Sequence, residues 1–191
     1  FGRLGGYLLD DSTSNALVGT GLYLPAAASG KMGGGAELNG SNQQIYYTAV
    51  GSFSSYTTSL WVKPDSKEYY KGLFDTEPHG LRFGGGEYLY WPGGNSGIGS
   101  TLGEWEHYAL VVDGTAVTVY KNGAAIPYGS SSSGEPSGTE HWHAGYCSWA
   151  YFDGVLDEFH VSSAARSPDW IATEYNNQSS PATFYAVGAE E

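Results

Sequence analysis

The chain has 191 residues, 40% of them hydrophobic and 15% aromatic, which suits one folded domain with a full core and excludes intrinsic disorder. Eight basic residues stand against 20 acidic ones, and a net charge of −12 excludes nucleic acid and anionic lipid surfaces as partners. A single cysteine, Cys147, excludes an internal disulfide and reads as a small buried hydrophobe. No run approaches the ~20 apolar residues of a membrane-spanning helix, so no membrane insertion is expected. The chain starts at Phe1 without a leader, as a mature form or an excised domain would.

Residues 1–7 are short and broken by glycine. The run 10–15, Asp-Asp-Ser-Thr-Ser-Asn, favours Asx and ST turns, and 22–31 reads as a loop. Residues 35–41 predict a turn before a strand at 44–47. Residues 57–63 are a strong β-branched strand that Pro64 ends. Shorter strands are expected at 73–75, 81–83 and 88–91, with Gly-rich turns between them.

The clearest pattern is 105–126. A strand at 107–112, the turn Asp113-Gly114, a strand at 116–120 and the turn Asn122-Gly123 make a β-meander, because Asp-Gly and Asn-Gly readily take the positive φ of two-residue hairpins. Residues 129–138 are rich in Ser and Gly and read as an exposed loop. Strands resume at 142–146 and 155–161. Residues 167–177 read as a helix, with Ser167 as N-cap and Pro168 in its first turn, and 183–187 as a last strand. Many short strands and one short helix predict an all-β, two-sheet antiparallel sandwich, a single domain over 1–191.

Several segments then carry a resemblance. Trp105-Glu-His-Tyr-Ala-Leu-Val-Val-Asp113-Gly114, followed by Val119-Tyr-Lys-Asn122-Gly123, resembles the central hairpin of laminin-G-like, concanavalin A-like jelly rolls. Asn39-Gly40-Ser41, Ser59-Leu-Trp61-Val-Lys-Pro64 and Phe152-Asp-Gly-Val-Leu-Asp157-Glu158-Phe159 resemble its other signatures. The ending 165–178 is similar to LamG-like domains of large bacterial and archaeal surface proteins. The resemblance implies a jelly roll on a secreted or cell-surface protein. Its fold hosts lectins, carbohydrate-binding modules, adhesion modules and glycoside hydrolases.

Catalysis is not expected. Glycosidases need two carboxyl groups about 5 to 10 Å apart. Asp157 and Glu158 are adjacent on a strand and point to opposite faces, while Glu104 and Glu106 sit where a strand begins and read as ordinary solvated acids. His141 and His143 share a strand face and could pair on zinc, with His107 or His160 as a third ligand, but a polar strand face explains them as well. Calcium is the more fitting metal. The resemblance implies one structural Ca²⁺ between the early loop and the closing signature, with Asp11, Asn15 and Asp157 as ligands.

Sugars are held on aromatic platforms with polar groups nearby. Trp61, Trp105 and Trp170 read as packing residues. Trp91 and Trp149 lie at loops, where a large aromatic without a partner is costly to expose. The expected ligand site is Trp91, Trp149, Tyr90, His141 and His143, with Asn95 as a hydroxyl partner. The leading expectation is a non-catalytic, lectin-like, carbohydrate-binding module whose partner is a polysaccharide or glycan. The alternative is a structural or adhesive module that meets other surface-protein chains.

Overall fold

The structure is a computed structural model that describes residues 8–10, 18–23, 25–48, 53–66, 70–76, 80–84, 88–91, 94–132 and 141–181. In chain order the strands are β1 (Leu8–Asp10), β2 (Val18–Leu22), β3 (Ala26–Ser29), β4 (Gly34–Asn39), β5 (Gln44–Thr48) and β6 (Ser55–Pro64). Next come β7 (Lys71–Asp75), β8 (Gly80–Phe83), β9 (Tyr88–Trp91), β10 (Gly94–Gly99), β11 (Glu106–Asp113) and β12 (Ala116–Lys121). The last elements are β13 (Ala124–Ser132), β14 (His141–Ala144), β15 (Tyr146–Cys147), β16 (Ala150–Tyr151), β17 (Asp153–Ser162) and α1 (Pro168–Ser179).

Among the described residues these strands form two antiparallel sheets and a small hairpin. One sheet runs β1-β2-β5-β14-β7-β8-β9-β10, the other β13-β12-β11-β6-β17-β4-β3, and β15-β16 stands apart. The expected two-sheet sandwich is the observed fold.

The alternation along β6 and β11 explains the packing. Tyr56, Leu60, Val62, Tyr108, Leu110 and Val112 point between the sheets, where they meet Ile45, Leu73, Phe74, Leu81, Phe83, Trp142 and Phe152. The intervening residues of β6 and β11 are buried too, because α1 covers the other face of their sheet. There Ile171 packs on Ala109, Val111 and Tyr120. Tyr175 stacks on Trp61 at 5.6 Å, and the Trp61 Nε1–H donates to Gln178 Oε1 at 2.6 Å. Ser167 caps α1 by accepting from the Trp170 N–H, as its position predicts. Trp170 itself is 36% exposed rather than packed, with the Arg166 guanidinium 4.8 Å from its ring, and Ile171 anchors the helix instead.

The meander is as expected, with Gly114, Asn122 and Gly123 all at positive φ. Other boundaries move. The expected loop 22–31 contains β3, and the expected turn 35–41 is mostly β4, whose Ala36 and Leu38 reach the core. Both segments are small or glycine-rich, so they lack a strand pattern of their own. Pairing supplies it: β4 is held between β17 and β3. The loop expected to start at 129 is strand to Ser132. The strand expected at 183–187 lies outside the described residues, as do residues 1–7 and 11–15. No helix among the described residues is long and apolar enough to cross a membrane.

Under α1 lies a buried polar cluster. Glu174 accepts from Ser59 Oγ at 3.1 Å, lies 3.0 Å from His160 Nδ1 and 3.6 Å from His107 Nε2. A bulge in β17, with Glu158 at φ 49°, brings Glu158 Oε2 to 3.2 Å from His160 Nε2. Burial pushes the His107 imidazole down to about 4, although Glu174 pulls the other way. Burial also opposes the charge on His160, but Glu158 and Glu174 outweigh it and raise it to about 9.

The two histidines therefore act on opposite sides of their usual value near 6.5. His107 takes up its proton more readily unfolded, so its contribution to stability is lost as pH falls from about 6.5 to 4, a change of ~3 kcal/mol. His160 holds its proton more tightly folded, so its contribution is complete below about 6.5 and is lost as pH rises to 9. That second change is smaller, since the side chain is 45% exposed and solvent screens it. Urea unfolding across pH 4 to 10 should place the joint optimum of these two groups near 6.5. His107→Gln should flatten the acid limb relative to wild type, and His160→Gln the alkaline limb.

Candidate functional site

β14 places the site. It runs between β5 and β7, with Trp142 and Ala144 buried in the core. His143 therefore stands on the outer face of the eight-stranded sheet. Its Nδ1 is 2.8 Å from Gln44 Oε1, and its ring lies 6.2 Å from Tyr46 and 5.1 Å from Tyr146.

After Ala144 the chain leaves the sheet. Gly145, at φ 78°, donates its N–H to the Leu73 carbonyl at 2.7 Å and accepts from the Phe152 N–H at 2.9 Å. Phe152 drops back into the core. Between them, β15 and β16 form a hairpin that lies across β7 and β8. It lies close because two side chains are missing. A Cβ on Gly72 would overlap the Cys147 nitrogen and the Ala150 carbonyl oxygen, and one on Gly80 would overlap the Cys147 Sγ. Both glycines face away from Leu73, Phe74, Leu81 and Phe83, so the hairpin covers the outer face of the sheet.

The hairpin is tied down at its turn as well. The Asp75 carboxylate accepts the Ser148 N–H at 3.1 Å. Burial, the largest influence, raises the Tyr146 phenol, while a hydrogen bond with the Trp149 backbone opposes the rise. Tyr151 lies 5.2 Å from Tyr146, so the rings of Tyr46, His143, Tyr146 and Tyr151 follow one another. Cys147 is buried at 3%, and burial pushes its thiol up to about 12. It is the inert hydrophobe that its sequence context suggests.

The turn is Ser148-Trp149, at φ 49° and 73°. Two-residue hairpins with positive φ at both positions usually carry Asn-Gly or Gly-Gly. Left-handed backbone costs a residue with a Cβ ~1–2 kcal/mol. Trp149 takes that conformation while 90% exposed, so neither its backbone nor its side chain gains by the arrangement.

Of the residues expected to bind ligand, Trp149 is on the hairpin turn and His143, on β14, stands beside the hairpin's Tyr146. His141 is two positions earlier on β14. Tyr90 and Trp91 lie on β9 and Asn95 on β10, with β8 between β9 and β7; Tyr90 pairs with Arg82 and Asn95 with Tyr90. The side chains of Tyr90, Trp91, Asn95 and His141 lie outside the described residues. Gln44, Tyr46, Tyr146 and Tyr151 were not singled out in the sequence. They join the site through strand order and the hairpin fold, which leave no local signal.

His107 and His160 belong to the other sheet, beneath α1, so they cannot complete a zinc site with His143. Asp157 is fully buried. Its oxygens accept from the Met32 N–H at 2.8 Å and the Glu158 N–H at 2.9 Å. Burial, the largest influence, raises its carboxyl, and the two N–H donors oppose that. A buried carboxylate of this kind suits a hard cation, and each oxygen has a second lone pair to offer. Asp11 and Asn15 lie outside the described residues, and the described residues alone hold no group of three metal-ligating side chains.

Glu106 is buried rather than solvated. It accepts from Ser100 Oγ, from the Thr101 N–H and from Tyr108 Oη at 2.8 Å, and it pairs with Lys121 Nζ at 2.9 Å. Burial would raise its carboxyl, but these partners outweigh it and hold it below the usual range.

The sequence profile described as the concanavalin A-like lectin/glucanases superfamily matches residues 39–172. The chain belongs to this superfamily. Domain 4 of AbnA, a GH43 extracellular arabinanase from Geobacillus stearothermophilus solved in complex with arabinotriose, is 28% identical over 86% of this chain and 91% of that one, with a TM-score of 0.72. The binding domain of Paraclostridial Mosquitocidal Protein 1 is 16% identical, with a TM-score of 0.71 over 91% of this chain and 50% of that one. Trypanosoma rangeli sialidase is 11% identical, with a TM-score of 0.69 over 92% of this chain and 32% of that one. These last two share the fold. No curated protein matches the chain significantly.

If the hairpin lies flat only because Gly72 and Gly80 lack side chains, Gly80→Ala should lift it. The expected result is a loss of about 1–3 kcal/mol in urea unfolding. Cys147 should react slowly with Ellman's reagent in the wild type and much faster in Gly80→Ala under native conditions.

Proposed function

We propose that this domain is a non-catalytic carbohydrate-binding module of a secreted or cell-surface protein, with its ligand held at the hairpin on the outer face of the eight-stranded sheet. The observation that carries this reading is Trp149: 90% exposed, on a turn pinned by Asp75, Gly145 and Phe152. An indole held out in water on a backbone that is already fixed offers a whole ring face for stacking and costs no backbone ordering when a sugar covers it. Gln44 and His143 lie close by, as hydrogen-bonding groups suited to hydroxyls. The arabinotriose complex of the 28% identical domain puts arabino-oligosaccharides first among the glycans to try.

The non-catalytic part of the reading rests on the acids. Glycoside hydrolysis needs a general acid and a second carboxylate facing a shared space. Three buried acids among the described residues lack that space: Glu106 is engaged by four donors, Asp157 is enclosed, and Asp75 is covered by the Ser148 turn.

The test is binding of the purified domain to a polysaccharide panel beside Trp149→Gly. Glycine suits the left-handed turn, so the variant should be about 1 kcal/mol more stable than wild type. It should bind at least ~30-fold more weakly, about 2 kcal/mol, as loss of a central tryptophan anchor does. A folded protein that binds no glycan would falsify the reading and favour an adhesive role with Trp149 against another chain.

The reading includes a structural Ca²⁺ held by Asp157 with Asp11 and Asn15. It would neutralise the buried carboxylate and tie the early loop to β17. Calcium at a hundredfold excess over its Kd should then add ~2.7 kcal/mol of stability relative to chelator. Asp157→Asn should abolish the difference between calcium and chelator in a thermal melt.

A further inference from the structure

Among the described residues, six other than glycine have positive φ: Tyr23, Tyr70, Asn122, Ser148, Trp149 and Glu158. Asn122 suits that backbone, Glu158 lies in the β17 bulge, and Ser148 and Trp149 share the hairpin turn. Tyr23 and Tyr70 remain. Each is a bulky aromatic in left-handed backbone, at φ 52° and 58°, and each is exposed, at 67% and 45%. That backbone costs ~1–2 kcal/mol where glycine or asparagine would cost less, and neither ring is buried in return.

Strand register places both at one end of the eight-stranded sheet, away from the Ser148-Trp149 turn. Tyr23 follows the last residue of β2, Leu22, which pairs with Gln44 at the start of β5. Ile45 pairs with Ala144 and Ala144 with Phe74, so the start of β7 lies at that end too, and Tyr70 precedes it. Three strand spacings of ~4.8 Å separate β2 from β7, so the two tyrosines stand about 14 Å apart across the sheet. Ser148 is tied to Asp75, the last residue of β7, and about 16 Å of extended chain separates that point from Tyr70. The segment 39–43, Asn-Gly-Ser-Asn-Gln, bridges the two tyrosines. Gln43 Nε2 donates to the Tyr23 carbonyl at 2.7 Å, and Lys71 Nζ, next to Tyr70, donates to the Gly40 carbonyl at 3.2 Å. Asn39 Oδ1 accepts from the Ser41 and Asn42 N–H groups at 3.1 and 3.3 Å, and Gln43 Oε1 accepts from the Asn39 N–H at 2.9 Å. The segment is thus ordered by its own bonds, with Ser41 and Asn42 exposed on it.

We propose that this rim is a second carbohydrate site, separate from the hairpin, where Tyr23 and Tyr70 flank a neutral oligosaccharide and Ser41 and Asn42 meet its hydroxyls. This rests on the carbohydrate reading above, and it makes the domain bivalent. Sugars present apolar faces and hydroxyls together. The rim answers with two phenol rings and, between them, amides and a hydroxyl without a single aliphatic side chain. A protein partner would ask for apolar anchors that 39–43 lacks. The charges beside the rim are engaged: Lys71 stands 4.0 Å from Asp153, and the Arg82 guanidinium lies 4.9 Å from the Tyr70 ring. The net charge of −12 repels uronate polymers. A phenol offers less stacking surface than an indole, so the rim is the weaker of the two sites. It supplies the residual binding expected of Trp149→Gly.

The test is calorimetric titration with arabinotriose, or with the trimer cut from whichever neutral polysaccharide the panel identifies. Wild type should bind two equivalents, one tightly and one at least ~30-fold more weakly. Tyr23→Asn combined with Tyr70→Asn should keep the tight equivalent at unchanged affinity and lose the weak one. That variant should be at least as stable in urea as wild type, since Asn tolerates left-handed backbone. Added to Trp149→Gly, the same pair should abolish the residual binding. A single equivalent in wild type, or residual binding of Trp149→Gly that the tyrosine substitutions leave unchanged, would overturn the second site while the hairpin site stands. Polygalacturonate held by Trp149→Gly as tightly as the neutral chain would overturn the uncharged class. Absence of glycan binding by wild type removes the carbohydrate reading itself and this site with it.

Discussion

The outer face of the eight-stranded sheet depends on one close approach. Backbone of the 145–152 segment rests directly on β7 and β8, and only glycine at 72 and 80 leaves room for it. That approach sets the depth at which Cys147 is buried and puts Ser148 within reach of Asp75. It also fixes how far the Ser148-Trp149 turn stands above the sheet. A Cβ at either glycine meets backbone or a buried sulfur, neither of which can swing aside.

The hairpin is braced on both sides by stronger structure. Gly145 and Phe152 close its base with hydrogen bonds, and Phe152 is buried between the sheets. The core therefore absorbs the strain of a tryptophan in left-handed backbone. A turn of Asn-Gly would relieve that strain and remove the exposed indole. Local instability retained against an easy remedy is the pattern found where strain serves a site.

The opposite sheet is organised differently. Its central strands are buried on both faces, by the core and by α1, and its polar groups answer to the helix. Glu174 gathers Ser59, His160 and His107, and the Trp61 Nε1–H meets Gln178. Histidines and acids that suggest chemistry in the sequence are here the means by which a short helix is seated. The outer face of the eight-stranded sheet carries the most exposed aromatic among the described residues, Trp149.

Local chemistry in the sequence determined much of the fold. Asp113-Gly114 and Asn122-Gly123 specify their turns, β-branched alternation specifies β6 and β11, and Ser167-Pro168 specifies the start of α1, because each depends on neighbours a few residues away. Trp149 and His143 were legible as loop and strand-face residues for the same reason. Tertiary structure alone decided that β3 and β4 are strands, since alanine and glycine carry no pattern and take their order from pairing partners. It alone buried Glu106 and exposed Trp170. It alone turned Gly72 and Gly80 into the seat of a hairpin 65 or more residues later in the chain. These are relations between strands distant in sequence, set by sheet order and register, and no short stretch of residues contains them.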